Sequence, residues 1–350
     1  MSLQHLAKEF KRLMSDDQAF VFYRLPNTKT VHCFYQNDAL IHQTEDLKIK
    51  GFVMSRFDTP IPSVFIPDEN HLQFDSEIEN LENPEVAVFD HSEDKSSFIN
   101  IVNKTKQAIT SKQLKKLVVA RRILKKEKVD GFQLFSRLLS LYSNAMVYFW
   151  HHPKVGTWVG ATPEQLFSLD SGRLSTMALA GTMPYQDHGS YSWGTKEKKE
   201  QRWVKDALQS DLESLFDASE VHFSETYTRR AGNLVHLCND LTVHAREINI
   251  ANLVKKLHPT PAVGGIPVEE GMRFLSKHEN LDRAYYAGFL GPILESEKID
   301  LFVNLRCAQM TEEGLILYVG AGITSESDPE KEWEETQHKA KTLLAALSII

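Results

Sequence analysis

The feature that most constrains the fold is a set of β-like segments between residues 147 and 182. Apolar and polar side chains alternate there in VYFWHH, TWVGATPEQLFSL and RLSTMALAGTM, and Gly156 and Asp170-Ser171-Gly172 supply turn residues between them. Segments joined by such short turns pair as antiparallel strands. Residues 18 to 66 show the same alternation, so we predict a second antiparallel β region there.

Helical patterns alternate with these strands. Apolar side chains recur at helical spacing in five segments: residues 1–14, 95–113, 132–142, 196–216 and 329–347. Ser327 or Asp328 is placed to cap the last of these helices, and Pro329 lies in its first turn.

Shorter elements complete the predicted organisation. Three apolar runs predict short strands at residues 117–120, 300–307 and 314–320. The acidic stretch at residues 72–93 lacks periodicity and predicts an exposed loop or connection. Together these patterns predict an α/β (α+β) fold with layered, mostly antiparallel sheets flanked by helices.

Composition excludes several classes of protein. The 350 residues contain 40 Lys and Arg against 47 Asp and Glu, and this net charge of −7 gives no general attraction to nucleic acid or an anionic membrane. The N-terminus has no uninterrupted apolar stretch, so we expect neither a signal peptide nor a membrane anchor. Cys33, Cys238 and Cys307 are too sparse for a secreted disulfide scaffold. We therefore expect a cytoplasmic protein without nucleic-acid or membrane partners.

The last helix carries the clearest chemical pattern. Glu332, Glu335 and Lys339 share one helical face, and that face continues into Leu343 and Ala346, which we expect to be buried. A salt bridge between Glu335 and Lys339 on a solvated surface is the plain alternative. The apolar continuation of the face favours a functional role.

A second acidic pair lies on the helix at residues 196–216. Glu197 and Glu200 fall on its apolar stripe, so they face inward with Val204 and Leu208. With the last helix, this gives a site of up to four carboxylates, which repel one another unless a cation is present. Mg²⁺ prefers such oxygen ligands and commonly bridges to an anionic substrate.

Two further features indicate an anionic ligand. The segment 320–323, GAGI, lacks the glycine spacing of a dinucleotide-binding motif and predicts a turn whose backbone amides face an oxyanion. Arg306 lies within an apolar strand, where a guanidinium needs a planar acidic partner. A buried structural Arg/Glu pair is an equally good interpretation of Arg306.

Lys116 and Glu164 are candidates for proton transfer. Lys116 begins a buried-looking strand, and a lysine removed from water can work as a general base, although a solvated lysine is the simpler interpretation. Glu164 follows a proline-rigidified turn between two strands, which suits a fixed carboxylic acid or an ordinary turn residue. Without further information, His236 and His258 are best interpreted as structural histidines.

The motifs around these residues resemble those of the chorismate-utilising enzymes, the family of isochorismate synthase, salicylate synthase and the large subunits of anthranilate and aminodeoxychorismate synthases. The resemblance extends from about Lys116 to Lys339. Its blocks occur in family order: KLVVAR, GATPEQLF, ALAGT, KEKKEQ, NLVHL, LHPTPAVGG, DRAYYAGFLG, LRCA, GAGI and EWEETQHKA.

The resemblance implies one compact α/β unit with the site between its layers. Residues 1–100 contain none of the blocks and correspond to the variable N-terminal part of that fold, while residues 101–350 form the chorismate-binding catalytic core. A monomer is expected.

The resemblance also implies residue roles. Glu200 and Glu335 would ligate Mg²⁺, with Glu197 and Glu332 holding its waters, and the metal would chelate the ring carboxylate of chorismate. Lys116 would be the general base that takes a proton from the attacking water, and Glu164 the general acid that protonates the departing hydroxyl. The remaining implied substrate-binding residues are Gly181, Thr182, His236, Ala262, Tyr286, Leu305, Arg306, Gly322 and Lys339.

A few positions indicate the reaction. The ammonia-using anthranilate synthases carry glutamine where Lys116 stands, so the resemblance implies water as the nucleophile. Ala262 resembles isochorismate synthases, whereas Tyr286 and Leu305 are more typical of members that eliminate pyruvate.

The prediction is a Mg²⁺-dependent isochorismate synthase acting on chorismate, with a product that feeds menaquinone, catechol siderophores or salicylate. The alternatives are a salicylate synthase, an aminodeoxychorismate synthase component and, in a different class, a non-catalytic chorismate- and Mg²⁺-binding protein.

Overall fold

The computed structural model describes residues 3–75, 81, 84, 86, 94–186, 190–231, 234–245, 248–295 and 298–348. Within these residues the helices are Leu3–Ser15 (α1), Lys95–Thr110 (α2), Gly131–Leu141 (α3), Thr195–Glu213 (α4), Ile250–Leu257 (α5), Val268–His278 (α6) and Pro329–Leu347 (α7), with a 3-10 turn at Ala218–Glu220.

The strands form two large sheets. The strands are Phe20–Arg24 (β1), Thr30–Tyr35 (β2), His42–Thr44 (β3), Gly51–Met54 (β4), Ser63–Pro67 (β5), Asn70–Asp75 (β6), Lys116–Lys125 (β7), Met146–His152 (β8), Gly156–Thr162 (β9), Gln165–Asp170 (β10), Arg173–Pro184 (β11), Val221–Phe223 (β12), Tyr227–Ala231 (β13), Leu234–His244 (β14), Gly265–Ile266 (β15), Phe289–Glu295 (β16), Lys298–Val303 (β17), Cys307–Thr311 (β18) and Gly314–Ile323 (β19).

The nine-stranded sheet has the order β15-β7-β19-β18-β9-β8-β1-β2-β6, and the ten-stranded sheet has the order β12-β14-β11-β10-β17-β16-β4-β5-β3, with β13 paired to β14. Every strand pair among the described residues is antiparallel. The predicted class of fold is therefore confirmed.

The main core lies between the two sheets. Because side chains alternate along a strand, Val21 and Tyr23 of β1 face the other sheet, while Phe20 and Phe22 face the helices on the outer side. Helices α1, α3 and α7 cover that outer side and bury a second apolar cluster. The result is a layered molecule in which helix α7 reaches the edge of the inter-sheet space.

The first hundred residues contribute strands to both sheets. Strands β1, β2 and β6 belong to the nine-stranded sheet, and β3, β4 and β5 to the ten-stranded sheet. The acidic stretch at residues 72–93 was predicted as a loop, but its residues 72–75 complete strand β6. Most of its other residues lie outside the described part of the chain. The division of the chain at residue 100 stays a prediction.

The predicted strand at residues 117–120 is too short. Strand β7 runs to Lys125, because successive side chains of a strand lie on opposite faces and its basic residues are accommodated on both of them. The Arg121 guanidinium stacks on Trp333 at 3.8 Å and donates hydrogen bonds to Thr336 and Gln337, whereas Arg122 is exposed. Charged side chains therefore extend this strand rather than end it.

The predicted strand at residues 300–307 is two strands in different sheets. Strand β17 ends at Val303, and residues 304–306 carry the chain across to β18 in the other sheet. Asn304 fixes this crossing, since its side chain accepts a hydrogen bond from Tyr148 at 2.7 Å and donates one to the Tyr285 carbonyl. Arg306 therefore lies at the crossing, with a φ of +49°, and not within a strand.

The segment GAGI is also not a turn. It forms the end of β19, where Gly320 pairs with Ala120 and Gly322 pairs with Val118. A side chain at Gly322 would come within 2.6 Å of a Glu200 carboxylate oxygen. Glycine therefore allows the strand to approach the carboxylate closely.

The last helix begins as predicted. Asp328 caps α7 by accepting hydrogen bonds from the amides of Glu330 and Lys331, and Pro329 is the first helical residue. This cap fixes the start of the helix that carries Glu332 and Glu335.

Histidines whose pKa is lowered by burial make stability depend on pH. Burial lowers the pKa of His32 and His258 to about 4 and of His236 to about 3. The unfolded chain takes up these protons near pH 6.5, so stability is lost as the pH falls from 6.5 toward 4. We expect His258→Gln, which removes one such group, to reduce the loss of unfolding free energy between pH 7 and pH 5 by about 2 kcal/mol.

Urea unfolding at the two pH values measures this difference, with the exposed His222→Gln as the matched control. An equal loss in the wild type and in His258→Gln would show that His258 does not titrate as a buried group. The comparison of two pH values removes any effect of the substitution on packing against Phe57 and Phe289, which contact the ring edge-to-face.

Candidate active site

A cavity opens between the two sheets, where α4 and α7 approach their edges. Strands β7 and β19 form one wall, and β11 and β14 form the opposite wall. All the predicted site residues except Glu332 line it, together with residues that the sequence analysis did not select: Val118, Pro163, Leu179, Ala180, Lys196, Val263, Tyr318, Val319 and Gly320.

Lys116 lies at the start of β7 and is removed from water. Its side chain is 1% exposed, and its Nζ atom is 2.9 Å from Oε1 of Glu200. The strand pairing of β7 with β19 places it beside Gly322, whose missing side chain leaves room for the lysine and the carboxylate. The interpretation of Lys116 as a solvated lysine is therefore wrong.

The acidic residues of the site come from two helices. Glu197 and Glu200 are three residues apart on α4 and both line the cavity, as does Glu335 on α7. Glu332 lies one turn before Glu335 and behind the cavity wall, with 1% of its side chain exposed. The helical spacing in the sequence thus brought together the predicted carboxylates, with Glu332 in the layer behind.

Lysines pair with three of these carboxylates, those of Glu200, Glu332 and Glu335. Besides the pair formed by Lys116, Lys339 lies 2.7 Å from Glu335 and Lys196 lies 2.6 Å from Glu332. Burial alone would raise the pKa of Glu335, but the Lys339 ammonium holds it below its ordinary value. Ammonium groups therefore provide the positive charge that the sequence analysis assigned to a metal.

The chemistry of the donor set still fits a hard divalent cation. The candidate ligands are all carboxylate oxygens, and Oε2 of Glu332 is buried with no hydrogen-bond partner. In the arrangement seen here, no three His, Cys, Asp or Glu side chains among the described residues converge as a metal-binding cluster. A cation at this site would have to replace lysine contacts.

Glu164 is held in the connection between β9 and β10. Its backbone carbonyl accepts a hydrogen bond from Val303 at 2.9 Å, and its carboxyl accepts one from the Thr260 hydroxyl at 3.4 Å. Burial raises the pKa of Glu164 to about 7, although the nearby Lys116 charge acts in the opposite direction. Near neutral pH this carboxyl therefore retains a substantial protonated fraction, as a general acid requires.

Arg306 and Lys339 supply positive charge at the other side of the cavity. The Arg306 guanidinium is buried and donates a hydrogen bond to the Thr342 hydroxyl at 2.9 Å, and no described carboxylate forms an ion pair with it. The structural Arg/Glu pair considered above is therefore absent from the described residues. Burial lowers the pKa of Arg306, and an anion in the cavity would offset this cost.

His236 presents a hydrogen-bond acceptor to the cavity. Its Nδ1 atom lies 2.8 Å from the Gly181 carbonyl oxygen, which can only accept, so Nδ1 carries the proton. The Thr182 hydroxyl lies 3.2 Å from the same nitrogen. Nε2 is buried without a partner and the ring is neutral, so this position suits a hydroxyl of a ligand and disfavours a carboxylate.

Apolar and aromatic groups complete the lining. Tyr286 stacks on Tyr318 with ring centroids 5.5 Å apart, and Ala262 and Leu305 add aliphatic surface. Gly320 lies against the Tyr286 hydroxyl, since a side chain there would approach it to 2.9 Å. Such surfaces suit a flat ring that carries polar groups at its edge.

Two of the residues that the sequence analysis missed carry chemistry. Lys196 stands directly before Glu197 in the block KEKKEQ, but Lys198 and Lys199 follow closely, so charge alone did not distinguish it. Tyr318 is buried within β19, between the buried residues Leu317 and Val319, and looks in sequence like any core tyrosine. The strand and helix packing, rather than a motif, places both at the cavity.

Comparison with known proteins defines the family. A family model described as "Chorismate binding enzyme" matches residues 61–348. The chain therefore belongs to the chorismate-binding enzymes, and the resemblance in its motifs is confirmed.

Individual relatives are more distant. The chain is 28% identical over 266 residues to anthranilate synthase component 1 of Aquifex aeolicus, covering 73% of this chain and 53% of that protein. It is 29% identical over 259 residues to isochorismate synthase MenF of Haemophilus influenzae, covering 70% of this chain and 59% of that protein. The chain thus spans little more than half the length of these relatives.

Solved structures share the fold. A protein of Bacillus anthracis described as a candidate 2,3-dihydroxybenzoate-specific isochorismate synthase superposes with a TM-score of 0.80 at 23% identity, covering 97% of this chain and 100% of that one. The menaquinone-specific isochorismate synthase MenF of Escherichia coli gives a TM-score of 0.76 at 20% identity, covering 94% and 88%. The layered architecture implied by the resemblance is therefore confirmed.

The structure can be compared with two expectations, on membrane-spanning segments and on disulfides. Among the described residues, no helix has the length and apolar character needed to cross a membrane. The three cysteines are buried and form no disulfide. The cytoplasmic location stays a prediction.

The His236 tautomer can be observed directly. We expect nitrogen NMR of histidine-labelled protein to show a neutral ring with the proton on Nδ1 throughout the range from pH 8 to pH 5, because burial disfavours the charged form. Loss of the resonance in His236→Gln assigns it. A ring that titrates near pH 6.5, or that carries its proton on Nε2, would contradict the proposed acceptor.

Proposed function

We propose that this chain is an isochorismate synthase, which converts chorismate to isochorismate. The observation that carries the proposal is that Lys116 and Glu164 line one cavity, with the lysine buried and the carboxyl held at a pKa of about 7. The relatives that are named isochorismate synthases support the same reaction.

In the proposed reaction, Lys116 and Glu164 carry out the two proton transfers. Lys116, as the general base, takes a proton from water as the oxygen bonds to C2 of the ring. The ring double bond shifts, the bond from C4 to its hydroxyl breaks, and Glu164 gives its proton to the departing oxygen, which leaves as water. Because one water enters and one leaves, the reaction is an isomerisation.

Positively charged groups in the cavity are available for the carboxylates of chorismate. The Arg306 guanidinium lacks an acidic partner among the described residues, and the Lys339 ammonium also donates to the Gly320 carbonyl at 2.9 Å. With the nearby backbone of Gly322, they would hold the carboxylates while the stacked Tyr286 lines the ring. The unpartnered Nε2 of His236 would accept a hydrogen bond from a substrate hydroxyl.

Mg²⁺ is part of the proposal because the carboxylates of Glu200 and Glu335 offer oxygen ligands, with Glu197 and Glu332 beside them. When bound, the cation would hold the ring carboxylate and withdraw electron density from the ring. A cation bound by Glu200 would compete with the Lys116 ammonium, which lies 2.9 Å from Oε1 of that carboxylate.

A salicylate synthase is the second candidate. Tyr286 and Leu305, which are more typical of family members that eliminate pyruvate, both line the cavity. Ala262 lines it as well and favours a reaction that stops at isochorismate. An aminodeoxychorismate synthase component would also keep the lysine, but it needs a supply of ammonia. The non-catalytic binding protein is less well supported, because Lys116 and Glu164 together suit turnover.

The metabolic setting stays a prediction. Isochorismate feeds menaquinone, catechol siderophores and salicylate. The reaction proposed for the cavity is the same whichever of these pathways uses the product. The monomeric state and the absence of nucleic-acid partners likewise rest on charge and composition.

The test is to incubate the purified chain with chorismate, with and without Mg²⁺ and without ammonia, and to separate the products by chromatography. We expect Mg²⁺-dependent isochorismate without pyruvate. Lys116→Ala should reduce the rate by roughly a hundredfold or more, because water loses its general base, while the exposed Lys115→Ala retains it.

Other outcomes of this assay would replace or contradict the proposal. Salicylate with pyruvate would replace the proposal by the salicylate synthase. Unchanged chorismate in the presence of Mg²⁺, or full activity of Lys116→Ala in a folded protein, would contradict the proposed water addition.

The pH dependence tests Glu164. Since the proton on Glu164 is needed and burial raises its pKa to about 7, we expect kcat/KM to fall as the pH rises through about 7. Glu164→Gln should retain no more than roughly one hundredth of the activity and should lose this alkaline limb.

Steady-state kinetics across pH 5.5 to 9 gives the comparison, with the exposed Glu313→Gln as control. An alkaline limb that persists unchanged in Glu164→Gln would assign it to another group and remove Glu164 from the role of general acid.

A further inference from the structure

Lys196 has an unusual position for a lysine. It lies in the first turn of α4, where the helix dipole disfavours positive charge. Its side chain crosses to α7, and its ammonium donates a hydrogen bond to Oε1 of Glu332 at 2.6 Å. The stability of α4 therefore does not explain the position, whereas the contact with Glu332 does.

Glu332 needs a positive partner. Its side chain is 1% exposed, and burial, together with the neighbouring Glu335, raises its pKa. Burial alone would lower the pKa of Lys196, but the Glu332 carboxylate raises it above the ordinary value. Each group thus favours the charged form of the other.

Lys196 differs from the other two lysines of the site. Lys116 is 1% exposed and begins a strand, and Lys339 also donates to a backbone carbonyl. The Lys196 side chain is 27% exposed at the cavity, and Glu332 is the acceptor that the described residues give it. It is the site lysine that can leave its carboxylate at the smallest structural cost.

We propose that Lys196 is an internal counter-cation that neutralises Glu332, beside Glu335, until a divalent cation binds, so that its ammonium and the metal compete for this acidic pair. The inference rests on the proposed function, since it concerns the metal assigned there. Its consequence is that Lys196 weakens metal binding while it stabilises the metal-free protein.

The variant that tests this is Lys196→Gln, which keeps a hydrogen-bond donor for Glu332 and removes the charge. Titration calorimetry of the full chain with MgCl₂, without chorismate, should give a Kd that is lower than that of the wild type by roughly tenfold, within the usual range of coupling between two sites. Thermal unfolding in EDTA should give a lower Tm for this variant, and saturating MgCl₂ should restore most of the difference.

Two controls separate charge from general perturbation. Lys196→Arg keeps the charge and should bind Mg²⁺ no more tightly than the wild type. Lys199→Gln, on the same helix, removes an exposed lysine that pairs with Glu326 at 3.1 Å and should leave the Kd unchanged.

The outcomes are distinguishable. A Kd for Lys196→Gln that is equal to or higher than that of the wild type would overturn the role of Lys196 and leave the proposed function intact. Equal tightening in Lys199→Gln would reduce the effect to net charge and also overturn it. A wild type that binds no Mg²⁺ would contradict the metal in the proposed function and the inference with it.

Discussion

The site depends on ion pairs that join three distant parts of the chain. Lys116 of β7, Lys196 of α4 and Lys339 of α7 each hold one carboxylate in a place where an unpaired charge would be costly. Two of these pairs cross between elements, so they fix where α4 lies relative to β7 and α7. The same charges that line the cavity therefore also hold its walls in position.

The sheets give these charges a rigid frame. Strand β7 pairs with β19 over nine consecutive positions, from Leu117–Ile323 to Lys125–Leu315, which sets the depth of Lys116 beside Gly322. Across the cavity, β11 and β14 form a long antiparallel pair that carries Gly181 and His236. Because both walls are paired strands within large sheets, backbone hydrogen bonds fix the positions of Lys116, Gly181 and His236.

Much of the fold and of the candidate site could be predicted from the sequence. The predictions that were wrong have physical causes. Periodicity and capping fixed the start of α7 and put Glu335 and Lys339 on one face, and the ordered motifs identified the family. Periodicity could not show that residues 304–306 change sheets, because an apolar run looks the same in one strand or two. Glycines that permit close approach look like turn glycines, which is why GAGI was misassigned. The importance of Lys196 became visible only with Glu332, 136 residues away.

The crossing at residues 304–306 links the Arg306 guanidinium to the architecture. Arg306 is the last residue of the segment that leaves the ten-stranded sheet and enters the nine-stranded sheet, and its backbone has a positive φ. The position of the guanidinium is therefore set by the same three residues that carry the chain from one sheet to the other. A shift of one sheet relative to the other would act on this crossing, and so on the place of the Arg306 charge in the cavity.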